Sequence, residues 1–195
     1  MMNKFGLSLL TMFGIGHIKY APGTIASFIT CLIYYFLFSI DVNFYYFFLI
    51  FLILLIYSII LIDKLSHHFK EKDPKEIVID EFFGQCIPLI SLTVTGFNFE
   101  YILLSADGPT LPGVWAGIYL LKSWYYGFNV NLMQIGLIYI VLSFVIFRFF
   151  DIFKPYPINI VDKKFKNGFG VMMDDIIAGI YTAIVIGILM FFFIK

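Results

Sequence analysis

RFFDIFKPYPINIVDKKFKNGFGVMMDDIIAG, running from Arg148 to Gly179, crowds ionic and backbone-permissive residues between two strongly apolar stretches. Arg148, Lys154 and the lysines at 163, 164 and 166 offer anion binding, and Asp151, Asp162, Asp174 and Asp175 offer oxygen ligands. Gly168 and Gly170 mark places where backbone can come close to a ligand. Charge beside hydrocarbon is costly, so such a cluster at a membrane boundary reads as a functional site. Arg148, Asp151 and Lys154 recur every three residues, which predicts one helix face, before Pro155 disfavours further helix and Pro157 keeps the chain extended. A ladder of interfacial ion pairs with snorkelling basic side chains is the alternative for that spacing. Asp174 and Asp175 precede a hydrophobic helix, where a divalent cation is a natural neutraliser. Oxygen ligands without a cysteine or a suitably spaced histidine point to magnesium rather than zinc.

Outward from this segment the chain is apolar. Of 195 residues 61% are hydrophobic, 21% aromatic and only 13% charged, which leaves too little polar surface for a soluble globule and implies an integral membrane protein. The net charge of zero gives no sign of a nucleic-acid partner. Cys31 and Cys86 stand in apolar surroundings without metal-ligand spacing and read as small buried hydrophobes. Lys4 precedes a short apolar run as in a signal peptide, but no small-residue cleavage site follows, so retention of the segment is expected.

Four stretches meet or nearly meet the length of a spanning helix: 24–40, 44–62, 132–150 and 176–194. A fifth, 86–105, is weakened by Pro88, Gly96 and Glu100, and 113–121 is too short to cross. Charge decides the count. Five spans place eleven of the thirteen basic residues on one side, leaving Lys122 and Lys195 opposite, whereas four spans split them eight to five. The positive-inside rule therefore predicts an all-α polytopic membrane bundle of about five transmembrane helices, a single domain over 1–195, with a cytoplasmic N-terminus. That topology gathers every polar motif on the cytoplasmic face. Gly179, Ala183 and Gly187 form a small-residue stripe suited to close helix packing.

Two further motifs would then meet the first. GIGHIKYAPGTIAS, 14–27, places Gly23 and Thr24 after a proline at the start of a helix whose free N–H groups suit an anion; Thr24 or Ser27 serves equally as an ordinary N-cap. PKEIVIDEFFG, 74–84, sets Asp80 and Glu81 against an apolar run. Adjacent carboxylates point about 100° apart on a helix, so both serve one metal only near a helix end or through different shells. Glu76 shares a face with Asp80 and is a possible supporting residue. His17 reads as interfacial, and His67 and His68 as a solvated loop.

Taken together, APGT with Ser27, IVIDEFFG, FRFFDIFKPYPI with Asp162, and GFGVMMDDIIAG, in this order, resemble the phosphatidylglycerophosphatase A family over most of the chain. The resemblance implies magnesium-dependent hydrolysis of phosphatidylglycerophosphate, held in the bilayer, to phosphatidylglycerol and phosphate at the bacterial inner membrane. Asp80, Glu81, Asp151, Asp174, Asp175, Arg148 and Lys154 fall on family motif positions. Our assignment makes Asp80, Glu81, Asp174 and Asp175 metal ligands and Arg148 and Lys154 phosphate binders. Gly23, Thr24 and Gly170 assist at the substrate, and Asp151 orients Arg148 or acts as a base. The stretch between Leu104 and Leu132 is longer than expected for the family. The competing classes are a small transporter, which normally needs polar groups near the bilayer midplane, and a non-catalytic membrane scaffold.

Overall fold

The computed structural model describes residues 4–39, 44–65, 75–104, 132–165 and 167–193. Seven α-helices and one 3₁₀ turn, Ile15–His17, make up these residues, with no strand among them: α1 (Lys4–Leu10), α2 (Pro22–Ser39), α3 (Phe44–Leu65), α4 (Ile79–Leu104), α5 (Leu132–Phe153), α6 (Ile158–Lys164) and α7 (Gly168–Phe193). The long stretch between Leu104 and Leu132, and His67 and His68, lie outside the described residues.

Local chemistry sets the helix ends. Pro22 opens α2, where its fixed φ is helical and its missing N–H costs nothing. Ser27 does not cap this helix; its hydroxyl donates back to the Gly23 carbonyl at 3.0 Å, as Thr30 does to Ala26 at 2.8 Å. Such back-bonding satisfies a hydroxyl within an apolar helix. α5 stops at Phe153, and Lys154 takes a left-handed φ of 41° with its N–H on the Phe150 carbonyl at 2.9 Å. Lys154 therefore leaves the helix face that Arg148 and Asp151 share. Pro155 is the reason, since it bars the helical conformation from the residue before it.

α4 and α7 form the central crossing. A Cβ on Gly179 would strike the Gly84 carbonyl, and one on Gly84 would press on the Asp175 carbonyl and the Phe147 ring. Pro88 has no N–H to donate to that same Gly84 carbonyl, four residues back, so the carbonyl stays open to the approaching helix. Of the two glycines in the predicted stripe, Gly179 makes the close approach, whereas among the described residues nothing lies within 4 Å of where a Gly187 Cβ would be.

Around this crossing α2 packs on α4, and α5 and α6 pack on α7. The buried core gathers toward one end, where Leu10, Leu61, Val78, Phe83 and Met172 meet. Elsewhere the outer faces are apolar: Ile53, Ile56 and Ile60 on α3, Val141 and Val145 on α5, and Ile184 and Ile188 on α7 are all exposed. Runs of exposed branched aliphatics along several helices fit a lipid-facing exterior. Among the described residues two helices, Tyr46–Leu65 and Gly168–Leu189, are long and apolar enough to cross a membrane, and Pro22–Leu37 is apolar but shorter. Gly23 touches Glu81, Asp63 reaches Gly168, and Lys154 reaches Asp174. Consequently the starts of α2, α4 and α7 and the finishes of α3 and α5 share one end of the bundle.

Candidate active site

At that shared end the first turn of α4 supplies Asp80 and Glu81, and the second turn of α7 supplies Asp174 and Asp175. Ligand oxygens of Asp80, Glu81 and Asp175 lie within 4.8 Å of one another. Asp80 and Glu81 can both face one point because they open their helix, where the positive end of the helix dipole also favours them. Asp80 Oδ1 and Glu81 Oε2 are buried and have no hydrogen-bond partner among the described residues. Burial, and then the charges of Glu81 and Asp175, push the Asp80 carboxyl well above the usual carboxylate range. Burial likewise raises Glu81, with the hydrogen bond from Asp80 acting the other way, Asp151 adding to the rise and Arg148 opposing it. Buried carboxylates with orphaned oxygens need either protons or a cation, and an all-oxygen set of this kind suits a hard divalent ion.

Cationic groups flank the cluster. Arg148 Nη1 lies 2.6 Å from Asp151 Oδ2, an ion pair poorly aligned for hydrogen bonding, and Arg148 Nε is buried without a hydrogen-bond partner. Asp151 in turn lies near Asp175. Lys154 Nζ donates to Asp174 Oδ2 at 2.6 Å and to Asp162 Oδ1 at 3.0 Å. Burial alone would lower the Lys154 pKa, but these two carboxylates outweigh it and raise the group above its ordinary value. Asp174 is thus turned toward Lys154 while its neighbour Asp175 joins Asp80 and Glu81.

The remaining predicted residues sit as follows. Gly23 is buried against the Glu81 carboxylate, which a Cβ would strike, and Thr24 is partly buried in the first turn of α2. The Gly170 N–H donates to Asn167 Oδ1 at 3.1 Å, and the glycine itself lies against the Phe165 carbonyl. The Gly168 N–H donates to Asp63 Oδ1 at 2.5 Å. These two glycines seat the start of α7 on α3 and on the chain before it. Glu76 is exposed, its carbonyl against Gly16, and His17 is exposed.

Three contributions escaped sequence reasoning. Asn167 is the N-cap of α7, a residue type that favours that role three positions before Gly170. Asp63 ties the end of α3 to α7 across 105 residues, a pairing without a local signal. Gln85, fully buried one turn below Glu81, donates to Ser143 Oγ at 3.2 Å and links α4 to α5.

The profile of the family described as phosphatidylglycerophosphatase A matches residues 8–190, which include every site residue above. The chain belongs to the phosphatidylglycerophosphatase A family. The family resemblance carried by the four sequence motifs is thereby borne out. Among curated relatives, "Phosphatidylglycerophosphatase A" of Haemophilus influenzae is 54% identical over 48 residues, 25% of this chain and 29% of the relative. The protein of the same name from Escherichia coli is 45% identical over 53 residues, 27% of this chain and 29% of the relative. The matched stretch therefore spans under a third of the length of either. A Bacteroides thetaiotaomicron protein named "Putative phosphatidylinositol-3-phosphatase" is 28% identical over 181 residues, 91% of this chain and 89% of the relative. No solved structure matches the chain significantly. Phosphatidylglycerophosphatase A is by name a phosphoric monoester hydrolase, and family membership together with the two apolar helices fits a membrane-associated protein.

Proposed function

We propose that this phosphatidylglycerophosphatase A family member is a magnesium-dependent phosphatase that hydrolyses phosphatidylglycerophosphate to phosphatidylglycerol and inorganic phosphate. The observation that carries the reading is the juxtaposition of carboxylates short of positive charge and a guanidinium with an unused donor. Asp80, Glu81 and Asp175 converge with orphaned carboxylate oxygens, and Arg148 stands beside them with a buried, unpartnered Nε. A divalent cation satisfies the first group and a phosphate the second, as a lipid monophosphate site requires.

Asp80, Glu81 and Asp175 fit a magnesium ion by ligand type and by their unmet oxygens. When bound, magnesium neutralises phosphoryl charge and acts as a Lewis acid. The chain's own groups do the rest. Arg148 holds the phosphoryl oxygens, and Asp151 tethers its guanidinium electrostatically through the 2.6 Å ion pair. Lys154 has three N–H donors, of which two go to Asp162 and Asp174, so one is left for the substrate. Both cysteines are buried in apolar clusters, which favours attack by water over a thiol nucleophile.

The bundle crosses the bacterial inner membrane five times in this reading, through α2, α3, α4, α5 and α7, with the site facing the cytoplasm. Support comes from the distribution of basic residues and from the alternation of helix ends at the site. The lipid tails stay in the bilayer while the terminal phosphate enters at headgroup depth.

The test is phosphate release by the full-length protein in detergent micelles, from phosphatidylglycerophosphate and, in parallel, from phosphatidylinositol 3-phosphate. The second substrate is included because of the long match to the Bacteroides protein. Release from phosphatidylglycerophosphate with magnesium and none in excess chelator is expected. Full turnover in chelator overturns the metal role, and faster turnover of the inositol lipid reassigns the substrate. Silence on both removes the phosphatase reading in favour of a transporter or scaffold.

A further inference from the structure

We infer that Asp162 is a positioning residue that holds the Lys154 ammonium off the carboxylate cluster and thereby keeps the metal site open. Lys154 sits in a left-handed turn at the end of α5, anchored by its N–H on Phe150, so its side chain leaves in a direction the helix would not give it. Its ammonium is shared between Asp162 on α6 at 3.0 Å and Asp174 on α7 at 2.6 Å. Asp174 is committed on both oxygens: Oδ2 takes the ammonium and Oδ1 accepts the N–H of Asp175 at 3.1 Å. A continuous chain of contacts therefore runs from Asp162 through Lys154 and Asp174 to the backbone of Asp175.

Electrostatics gives Asp162 its part. Lys154 stands beside a group of carboxylates whose closest members crowd within 4.8 Å, and a mobile ammonium there is a ready counter-ion. Among the described residues, Asp162 supplies the ion pair that draws Lys154 the other way, toward α6. Without it the ammonium is free to fold onto Asp174 and Asp175 and to compete with a divalent cation for the same charge. An ion pair of merely structural value would affect stability and leave cation affinity unchanged.

The inference rests on the metal site proposed above, and its test reads cation binding separately from turnover. The readout is the magnesium-dependent rise in thermal midpoint of the full-length protein in detergent, with phosphate release measured alongside. Asp162→Asn is expected to raise the magnesium concentration for half-effect about 10- to 100-fold, as loss of an outer supporting contact does. Asp162→Glu is expected to rescue most of the loss. In a Lys154→Met background Asp162→Asn should add no further loss, because Asp162 acts through Lys154. Unchanged magnesium half-effect in Asp162→Asn, or losses that multiply in the double variant, overturns the inference. A wild-type protein without any magnesium shift overturns the metal site itself. If Asp162→Asn does not fold, Asp162→Glu and the double variant decide: a tenfold loss in the first, or a loss beyond Lys154→Met in the second, is fatal to the idea.

Discussion

Asp80→Asn is expected to abolish magnesium-dependent phosphate release while making the metal-free protein more stable. Two unit charges at the 4.8 Å that bounds the separation of these oxygens repel by about 3.5 kcal/mol at an effective dielectric of about 20, and closer charges by more. Asp80 faces two such neighbours, Glu81 and Asp175, so the repulsion among fully ionised groups is on the order of 7 kcal/mol. The chain escapes most of it by retaining protons, since burial first and then the neighbouring carboxylates raise the Asp80 carboxyl. A net gain of about 2 kcal/mol at pH 8 remains for the asparagine, equivalent to about 4–8 °C in thermal midpoint for a chain of this size.

The pH dependence follows from the sign of the shift. Folded Asp80 keeps a proton above its ordinary value of 3.8, where the unfolded chain has released it, so folded protein binds more protons and loses stability as pH rises. The gap between variant and wild type should therefore be small near pH 4 and widen toward pH 8 in chelator. Magnesium at about a hundred times its dissociation constant adds about 2.7 kcal/mol to the wild type, enough to reverse the order, and lowering the pH should weaken that effect as protons compete for the ligands. The assay is thermal unfolding in detergent, with chelator or magnesium, across that pH range. A folded Asp80→Asn protein that is less stable than wild type in chelator at pH 8 would refute the repulsive-cluster reasoning.

Gly179→Ala should cost about 1–3 kcal/mol of stability, since its methyl meets the Gly84 carbonyl and overpacks a close crossing. Gly187→Ala, which meets open space, should be neutral or slightly stabilising; equal unfolding midpoints for the two variants would show that the crossing does not constrain the bundle. For topology, Lys72→Cys and Lys164→Cys should label from the cytoplasmic side only and Lys122→Cys from outside only, against a background in which Cys31 and Cys86 are buried. Labelling of 72 and 164 from opposite faces would overturn both the five-span arrangement and the shared site.

The site was legible in the sequence wherever local chemistry sufficed. Asp80 and Glu81 had to open a helix to act together, and they do. Pro155 announced the end of α5, but not that Lys154 would turn left-handed toward Asp162, because only the fold brings α6 there. Gly179 and Gly187 read identically on the helix, and the difference between them is the Gly84 carbonyl of α4 that stands against the first. The Asp63 contact to Gly168 was invisible for the same reason.

Asp174 and Asp175 illustrate what a helix imposes on a paired motif. Neighbouring side chains diverge by about 100°, so within α7 the pair cannot present both carboxylates to one point. Asp175 faces Asp80 and Glu81, which leaves Asp174 to a different partner, and the cation available on that side is Lys154. The doubled aspartate thus joins two charge systems of opposite need, one a set of carboxylates short of positive charge and the other an ammonium held by carboxylates. The single peptide between them carries the connection, through the Asp175 N–H on Asp174 Oδ1. A change at Asp162 consequently reaches the metal site by way of backbone placement as well as charge, which is why magnesium affinity, rather than stability alone, is the quantity it should move.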